Sequence, residues 1–405
     1  MDIADLRVAL FSGNYNYVRD GANQALNRLV DYLLRQGARV RVYAPMVERA
    51  AFPPTGDLVG IPAVPIPTRS EYRFPLGLSR ENRADLERFA PDVLHVSSPD
   101  VTAHSALRWA EARGLPVLAS VHTRFETYPR YYGFAFAEPW LINLMRRFYN
   151  RCDALVAPSD SMAEVLRAQG MNGDIGIWSR GVDRTIFDPA ARDLEWRRAQ
   201  GIGDDEVAIG FLGRLVMEKG LDVFSDTIAA LHTRGVPHKV LVVGEGPAHG
   251  WFADRVPDAV FTGILTGADL GRAVASMDVL LNPSITETFG NVTLEAMASG
   301  VPVVAARATG STSLVADGET GRLVEPGEVT SFAEAIAAYV ADPGLRRAHG
   351  AAGEVRSRAY AWDAINRTVA EKYLSLVEAR QRRPIAAPPR PSVAARSTIA
   401  PRSGP

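Results

Sequence analysis

The sequence predicts an α/β protein of two doubly wound domains facing each other across a cleft. Three observations carry this. Short runs rich in Val, Leu and Ala alternate with amphipathic segments of helical length from the N-terminus onward. The same alternation restarts near Asp204. Between the two series lies "DRTIFDPAARDLEWRRAQGIGDD", of mixed charge and without a buried-strand pattern. At 405 residues and 47% hydrophobic, the chain can fill two ordinary cores.

The opening "MDIADLRVALFSG" has no basic n-region and no A-x-A site, and its apolar run is short, so it reads as a first strand and not as a signal peptide. "ANQALNRLVDYLLRQG" follows as a helix, then the strands "RVRVYAP", "PDVLHVSSP", "PVLASVHT" and "DALVAPS", with "HSALRWAEARG" and "SMAEVLRAQG" as helices among them. The junction falls near residues 184 to 205, giving a Rossmann-like domain over 1–190 and a second over 191–379. The second repeats the pattern with "VAIGFLGRL", "HKVLVVGEGP", "AVFTG", "DVLLNPS" and "VPVVAA". "YAWDAINRTVAEKYLSLVEARQRR" is a long amphipathic helix expected to pack back across the junction. Residues 380–405 hold six arginines, six prolines and no acid, a composition that builds no core and predicts a disordered tail.

A net charge of −1 argues against a nucleic-acid partner held by a strong overall field. The charge is uneven: residues 1–185 hold 22 basic and 20 acidic residues, residues 186–379 hold 17 and 26, so the first domain is the more basic. The single cysteine, Cys152, cannot form an internal disulfide and reads as a core residue in a reducing compartment. No run approaches ~18 consecutive apolar residues. The expected location is cytoplasmic, peripheral on the inner face of the membrane if the first domain docks there.

In open α/β sheets ligands bind outside the carboxyl ends of the strands. "DVLLNPS" ends in such a place. "ITETFG" leaves it just before "NVTLEAMASG", a helix read as capped by Asn291 and closed by Gly300. Glu287 lies in the loop and Glu295 one turn into the helix. Free N–H groups from Phe289 to Thr293 suit oxygen-rich ligands, at about 0.3 to 1 kcal/mol per anionic group. Two carboxylates there can accept hydrogen bonds from the hydroxyls of a sugar and a ribose; the plainer alternative is a helix-dipole carboxylate and a solvated one. "GFLGRLVMEKGLDVF" adds Arg214 and Lys219 between a strand end and a helix start, where charge-assisted bonds to a diphosphate contribute roughly 1.5 to 3 kcal/mol each. Lysine occurs only at 219, 239 and 372, which argues against surface filler, although Lys219 can also pair with Glu218 or Asp222. The chain has no Asp-x-Asp pair, so the expected diphosphate site holds no metal.

"GRLVMEKG", "VVGEGP", "FTG" and above all "ETFGNVTLEAMASGVPVVA" resemble the retaining, metal-independent glycosyltransferases of family four, which have the GT-B fold. The likeness runs to about residue 379. "HVSSP", "HTRFETYPRYYGF", "APS" and "WSRGVD" are similar to the subgroup of sulfoquinovosyl-diacylglycerol synthases and GDP-mannose-dependent mannosyltransferases. The resemblance implies a hexosyl unit moved from a UDP- or GDP-sugar to a membrane lipid such as diacylglycerol or a glycolipid, with no cofactor besides the donor substrate. It implies that Glu287 holds sugar hydroxyls, Glu295 the ribose diol, and that Arg214 and Lys219 neutralise the departing diphosphate. Thr288, Phe289, Gly290, Asn291 and Val292 would line the donor, with the base near Gly246, Ile264 and Leu265. His122 would face the sugar from the first domain, its alternative being a satisfied core histidine; for His95 core and cleft stay open. Gly21, Arg124, Tyr128 and Tyr131 would meet the acceptor. Many relatives have paired glycines in the first loop, whereas here Asp20 precedes Gly21, allowing close backbone approach at one position only.

Three other readings stay open at this stage: a polysaccharide-building transferase with a soluble or polyprenyl-linked glycan acceptor, a nucleotide-sugar epimerase, and a non-catalytic nucleotide-sugar sensor. The stretch 124–151 concentrates Phe125, Tyr128, Tyr131, Tyr132, Phe134, Phe136 and Trp140 with Arg124, Arg130, Arg146, Arg147 and Arg151. That mixture predicts docking on an anionic membrane surface, part of the stretch being an ordinary core helix.

Overall fold

The structure, a computed structural model, describes residues 1–18, 21–66, 69–122 and 135–382. The first half contributes β1 (Arg7–Phe11), β2 (Arg39–Ala44), β3 (Asp57–Gly60), β4 (Ala63–Ile66), β5 (Arg69–Pro75), β6 (Val93–Val96), β7 (Val117–Ser120), β8 (Ala154–Ala157) and β9 (Ile175–Ile177). Seven of them form a parallel sheet in the order β3-β2-β1-β6-β7-β8-β9, and β4 and β5 pair as a separate antiparallel hairpin. Every residue of β6, β7 and β8 is buried, as expected where helices cover both faces of a parallel sheet.

The second half contributes β10 (Ala208–Leu212), β11 (Lys239–Val243), β12 (Val260–Phe261), β13 (Val279–Asn282), β14 (Val303–Ala306) and β15 (Gly321–Val324), parallel in the order β12-β11-β10-β13-β14-β15. In each sheet the order reverses once, between β1 and β6 and between β10 and β13. Loops leaving the carboxyl ends there diverge and open a crevice.

Apolar residues pack in two clusters on the first sheet and two on the second. The terminal helix Trp362–Arg382 does not stay with the domain that precedes it. Its Ile365, Val369, Ala370, Tyr373, Leu376 and Val377 are buried in the cluster containing Val8, Leu10 and Val40 of the first sheet. The two chain crossings run side by side, the Val182 N–H donating to Tyr360 O at 3.0 Å. Arg35 bridges to Asp363, and Arg184 to Glu354, across the same region. Residues 380–382 continue the helix, with Arg380 Nε donating to Gly114 O at 2.8 Å; the tail from 383 on lies outside the described residues. Cys152 is buried in the first core, where burial pushes its thiol up to about 12, as an inert core residue requires.

Candidate active site

The switch point of the second sheet brings together two loops from distant parts of the sequence. After β10 the chain passes Arg214 and makes a short turn over Met217–Lys219. After β13 comes the loop that carries Glu287. Ser284 Oγ and Thr286 Oγ1 both donate to Glu218 O, at 3.4 and 3.2 Å, and stitch the loop to the turn. Lys219 Nζ then forms an ion pair with Glu287 Oε1. The local partners Glu218 and Asp222 are not used. Glu287 is largely buried, and the pair engages its Oε1. The Arg214 side chain is exposed and has no ion-pair or hydrogen-bond partner among the described residues.

The helix Asn291–Ala298 starts at this crevice, but Asn291 does not cap it. The capping position is Gly290, at φ 97°, a left-handed conformation that glycine adopts without strain, and no side chain completes the cap. The N–H groups of Asn291, Val292 and Thr293 therefore lack intrahelical acceptors and face the site as donors. Asn291 turns instead to the first domain: a Cβ on Gly21 would stand 2.4 Å from its Nδ2, and its buried Oδ1 has no hydrogen-bond partner among the described residues. The Phe289 side chain is buried edge-on to Tyr360, leaving only its backbone for a ligand. Glu295, half-buried one turn on, has its carboxyl pushed up to about 8 by burial and, secondarily, by the Glu287 charge. It is not a solvated helix glutamate.

Beside β10 the loops after β11 and β12 continue the backbone pairing beyond the strands. Leu215 N–H donates to Glu245 O at 3.0 Å and Gly244 N–H to Gly263 O at 2.9 Å. Gly246 lies against the Leu215 backbone, whose oxygen would be 2.3 Å from a Cβ there. Ile264 projects into solvent, 74% exposed, and Leu265 is half-buried against the second core. His249, held by Glu245 at 3.0 Å and 4.8 Å from the Phe261 ring, was not anticipated from sequence. The fragment "VVGEGPAH" carried that signal in its i, i+4 acid and histidine.

His122 comes from the first domain, two residues past β7. Arg180 Nη2 donates to its Nδ1 at 2.7 Å, and its Nε2 lies 2.8 Å from Ser120 Oγ. With Nδ1 accepting, the proton sits on Nε2. Burial, then the Arg180 charge, holds the ring well below the usual histidine range, so it is neutral. Thr288, expected among the donor contacts, bridges the domains: its Oγ1 donates to His122 O at 3.1 Å and its carbonyl accepts from Ser159 Oγ at 2.8 Å. Ser161 Oγ meets Ser313 Oγ at 3.0 Å, and Gly310 N–H donates to Ser161 Oγ at 3.2 Å. The cleft is closed on these contacts. Arg180 escaped the sequence reading, although "WSRGVD" contained it. His95 is a core residue, 0% exposed. Arg124, Tyr128 and Tyr131 lie outside the described residues.

Residues 19–185 match the model for Glycosyltransferase Family 4, and residues 206–342 that for Glycosyl transferases group 1. A GDP-mannose-dependent alpha-mannosyltransferase of Mycolicibacterium smegmatis is 34% identical over 365 residues, 89% of this chain and 95% of that protein. The chain belongs to glycosyltransferase family 4. A sulfoquinovosyl transferase of Arabidopsis thaliana is 31% identical over 315 residues, 76% of this glycosyltransferase and 61% of the plant protein. The solved sucrose-phosphate synthase of Thermosynechococcus elongatus has the same fold, with TM-score 0.77 at 20% identity over 92% of this chain and 100% of that one. The glycosyltransferase is thus a GT-B hexosyltransferase acting on a nucleotide-sugar donor. Breaking a glycosyl–phosphate bond builds negative charge on the leaving diphosphate, and preorganised cations and N–H donors stabilise that charge.

Proposed function

We propose that this protein moves a hexosyl unit with retention, and without a metal, from a nucleotide-diphosphate sugar to a lipid acceptor at an anionic membrane surface. GDP-mannose is the first donor to test, because the mycobacterial relative carries that specificity in its name. In this reading Arg214 and Lys219 stabilise the departing diphosphate together with the N–H groups of Asn291, Val292 and Thr293. Glu287 Oε2 takes sugar hydroxyls and Glu295 the ribose diol, while Gly246, Ile264 and Leu265 border the base.

One observation supports the lipid acceptor. On the helix Glu138–Tyr149 and the turn before it, Phe136, Trp140 and Leu144 repeat every fourth residue and are 81%, 66% and 43% exposed. Spacing of four keeps them on one face. Arg146 and Arg147 lie on the exposed side of the same helix. An apolar stripe beside cations suits the headgroup boundary, where each basic group contributes about 1 kcal/mol. No helix among the described residues is long and apolar enough to cross a membrane, so attachment in this reading is peripheral, on the cytoplasmic face.

The test incubates the full chain with labelled GDP-mannose, and separately with UDP-glucose, on anionic vesicles containing bacterial membrane lipid extract. Label moving into the lipid phase from one donor, with α-configuration, is the expected result. Label moving only into a soluble oligosaccharide, with no vesicle binding at low salt, would overturn the lipid reading.

A further inference from the structure

Behind His122 runs a hydrogen-bonded chain that ends on the terminal helix. Ser120 Oγ, 2.8 Å from His122 Nε2, lies 2.7 Å from His95 Nε2. His95 Nδ1 in turn lies 2.5 Å from Tyr373 Oη. Ser120, His95 and Tyr373 are all at most 1% exposed. Trp178 packs its ring edge-on to both histidines, at 5.8 Å from His95 and 5.5 Å from His122. The terminal helix holds that ring too, through Asn366 Oδ1, which accepts from Trp178 Nε1 at 3.3 Å. Six polar side chains packed this closely inside the protein are costly to bury unless each is matched, and once matched they fix one arrangement.

We propose that Ser120, His95 and Tyr373 are positioning residues for the donor site, holding His122 in a single tautomer, with Nδ1 accepting from Arg180, so that strand end and cleft keep one geometry. The proposal deepens the transfer reading and rests on it. The protons order themselves from the cleft inward. Arg180 can only donate, so His122 Nδ1 accepts and Nε2–H donates to Ser120 Oγ. The serine hydroxyl, occupied on one side, is left to meet His95 on the other, and His95 closes on Tyr373. Both rings are neutral, burial lowering the His95 pKa to about 3. His122 has both ring nitrogens committed to the protein, so it serves as a fixed wall and not as a free acid or base. A residue 278 positions from His95 in sequence thereby controls a group at the cleft.

The test labels histidine ring nitrogens in the full-length protein and records long-range proton–nitrogen spectra, which separate the Nε2–H, Nδ1–H and doubly protonated forms. Signals are assigned by single His→Gln substitutions. The wild type is expected to show His122 as pure Nε2–H. Ser120→Ala should shift or broaden that signal, and Tyr373→Phe should change the His95 signals. Both should lower kcat by about tenfold to a hundredfold, the scale of a small misplacement at a reacting centre, with KM for the donor and binding of the nucleoside diphosphate alone nearly unchanged. Ser120→Thr, which keeps the hydroxyl, should recover most of the turnover. If Tyr373→Phe does not fold, the Ser120→Ala and Ser120→Thr pair decides. Wild-type turnover in a folded Ser120→Ala, or an unchanged His122 signal, overturns the proposal. A wild type that transfers no sugar to any acceptor sinks the transfer reading instead, and the ring spectra then decide whether the chain holds His122.

Discussion

Lys219 and Glu287, 68 residues apart, form an ion pair at the point where the second sheet reverses its strand order. The cation expected at the diphosphate and the carboxylate expected at the sugar hold one another in place. Arg214, five residues before Lys219, is exposed and has no side-chain partner among the described residues. In the proposed reading Arg214 faces a diphosphate whose negative charge grows in the transition state, so Arg214→Ala should lower kcat on the order of 10²-fold with an unchanged thermal midpoint. Lys219→Ala should lower kcat at least as much and also raise the donor KM, because it frees the Glu287 carboxylate. Steady-state kinetics with circular dichroism on both variants check this, and normal turnover in the folded double variant would contradict the site.

The pH dependence of stability should carry the signature of Glu295. Its pKa is raised from about 4.5 to about 8, so the folded state holds a proton that the unfolded state has lost between those values. Stability contributed by this group is thus full below about 4.5 and falls as pH rises toward 8. Glu295→Gln is expected to raise the midpoint at pH 8 by several degrees and to converge on the wild type near pH 4.5, while donor affinity drops. Parallel melting curves across the whole range would refute the assignment.

Gly21 admits Asn291 from the opposite domain. Gly21→Val should wedge the cleft and lower kcat about tenfold with little change in nucleoside diphosphate binding, which the proposed reading assigns to the second domain. Adding Asn291→Ala should return part of the loss. A Gly21→Val enzyme with full turnover would show that this contact does not form in the working state.

For the membrane, the stripe of Trp140 and Leu144 predicts that changing both to serine halts binding to anionic vesicles without altering the fold. Arg146→Glu with Arg147→Glu should remove most of the salt-sensitive part, since exposed charges at this distance are screened within about 10 Å at 0.1 M salt. Vesicle co-sedimentation over a salt series measures both.

In the proposed reading Arg214 and Lys219 supply the positive charge that a diphosphate needs, so transfer should persist in excess chelator, and the product from an α-linked donor should be an α-glycoside. Loss of activity in chelator that Mn²⁺ restores, or a β-product, would require a different site.

Much of this protein was legible one element at a time. The alternation of Val- and Leu-rich runs with amphipathic helices gave two doubly wound units, and the same logic put Arg214, Lys219, Glu287 and Glu295 at strand ends or helix starts. Local pattern suffices there, because burial on both faces imposes an apolar run whatever the neighbours are. Asn291 as a cap was a reasonable inference from residue type. It failed because Gly290 takes the left-handed turn and the asparagine is drawn to Gly21 across the cleft.

What the sequence determined by itself was therefore the fold class and the chemical inventory of the cleft. Which groups meet was settled only in three dimensions. Lys219 passes over its near neighbours for Glu287, and the terminal helix, expected from the sequence to pack back across the junction, seats Tyr373 where it reaches His122 through His95 and Ser120. Periodicity records that a face is buried and not what buries it. Partners brought together by a strand reversal or by a returning helix leave no mark in either segment alone.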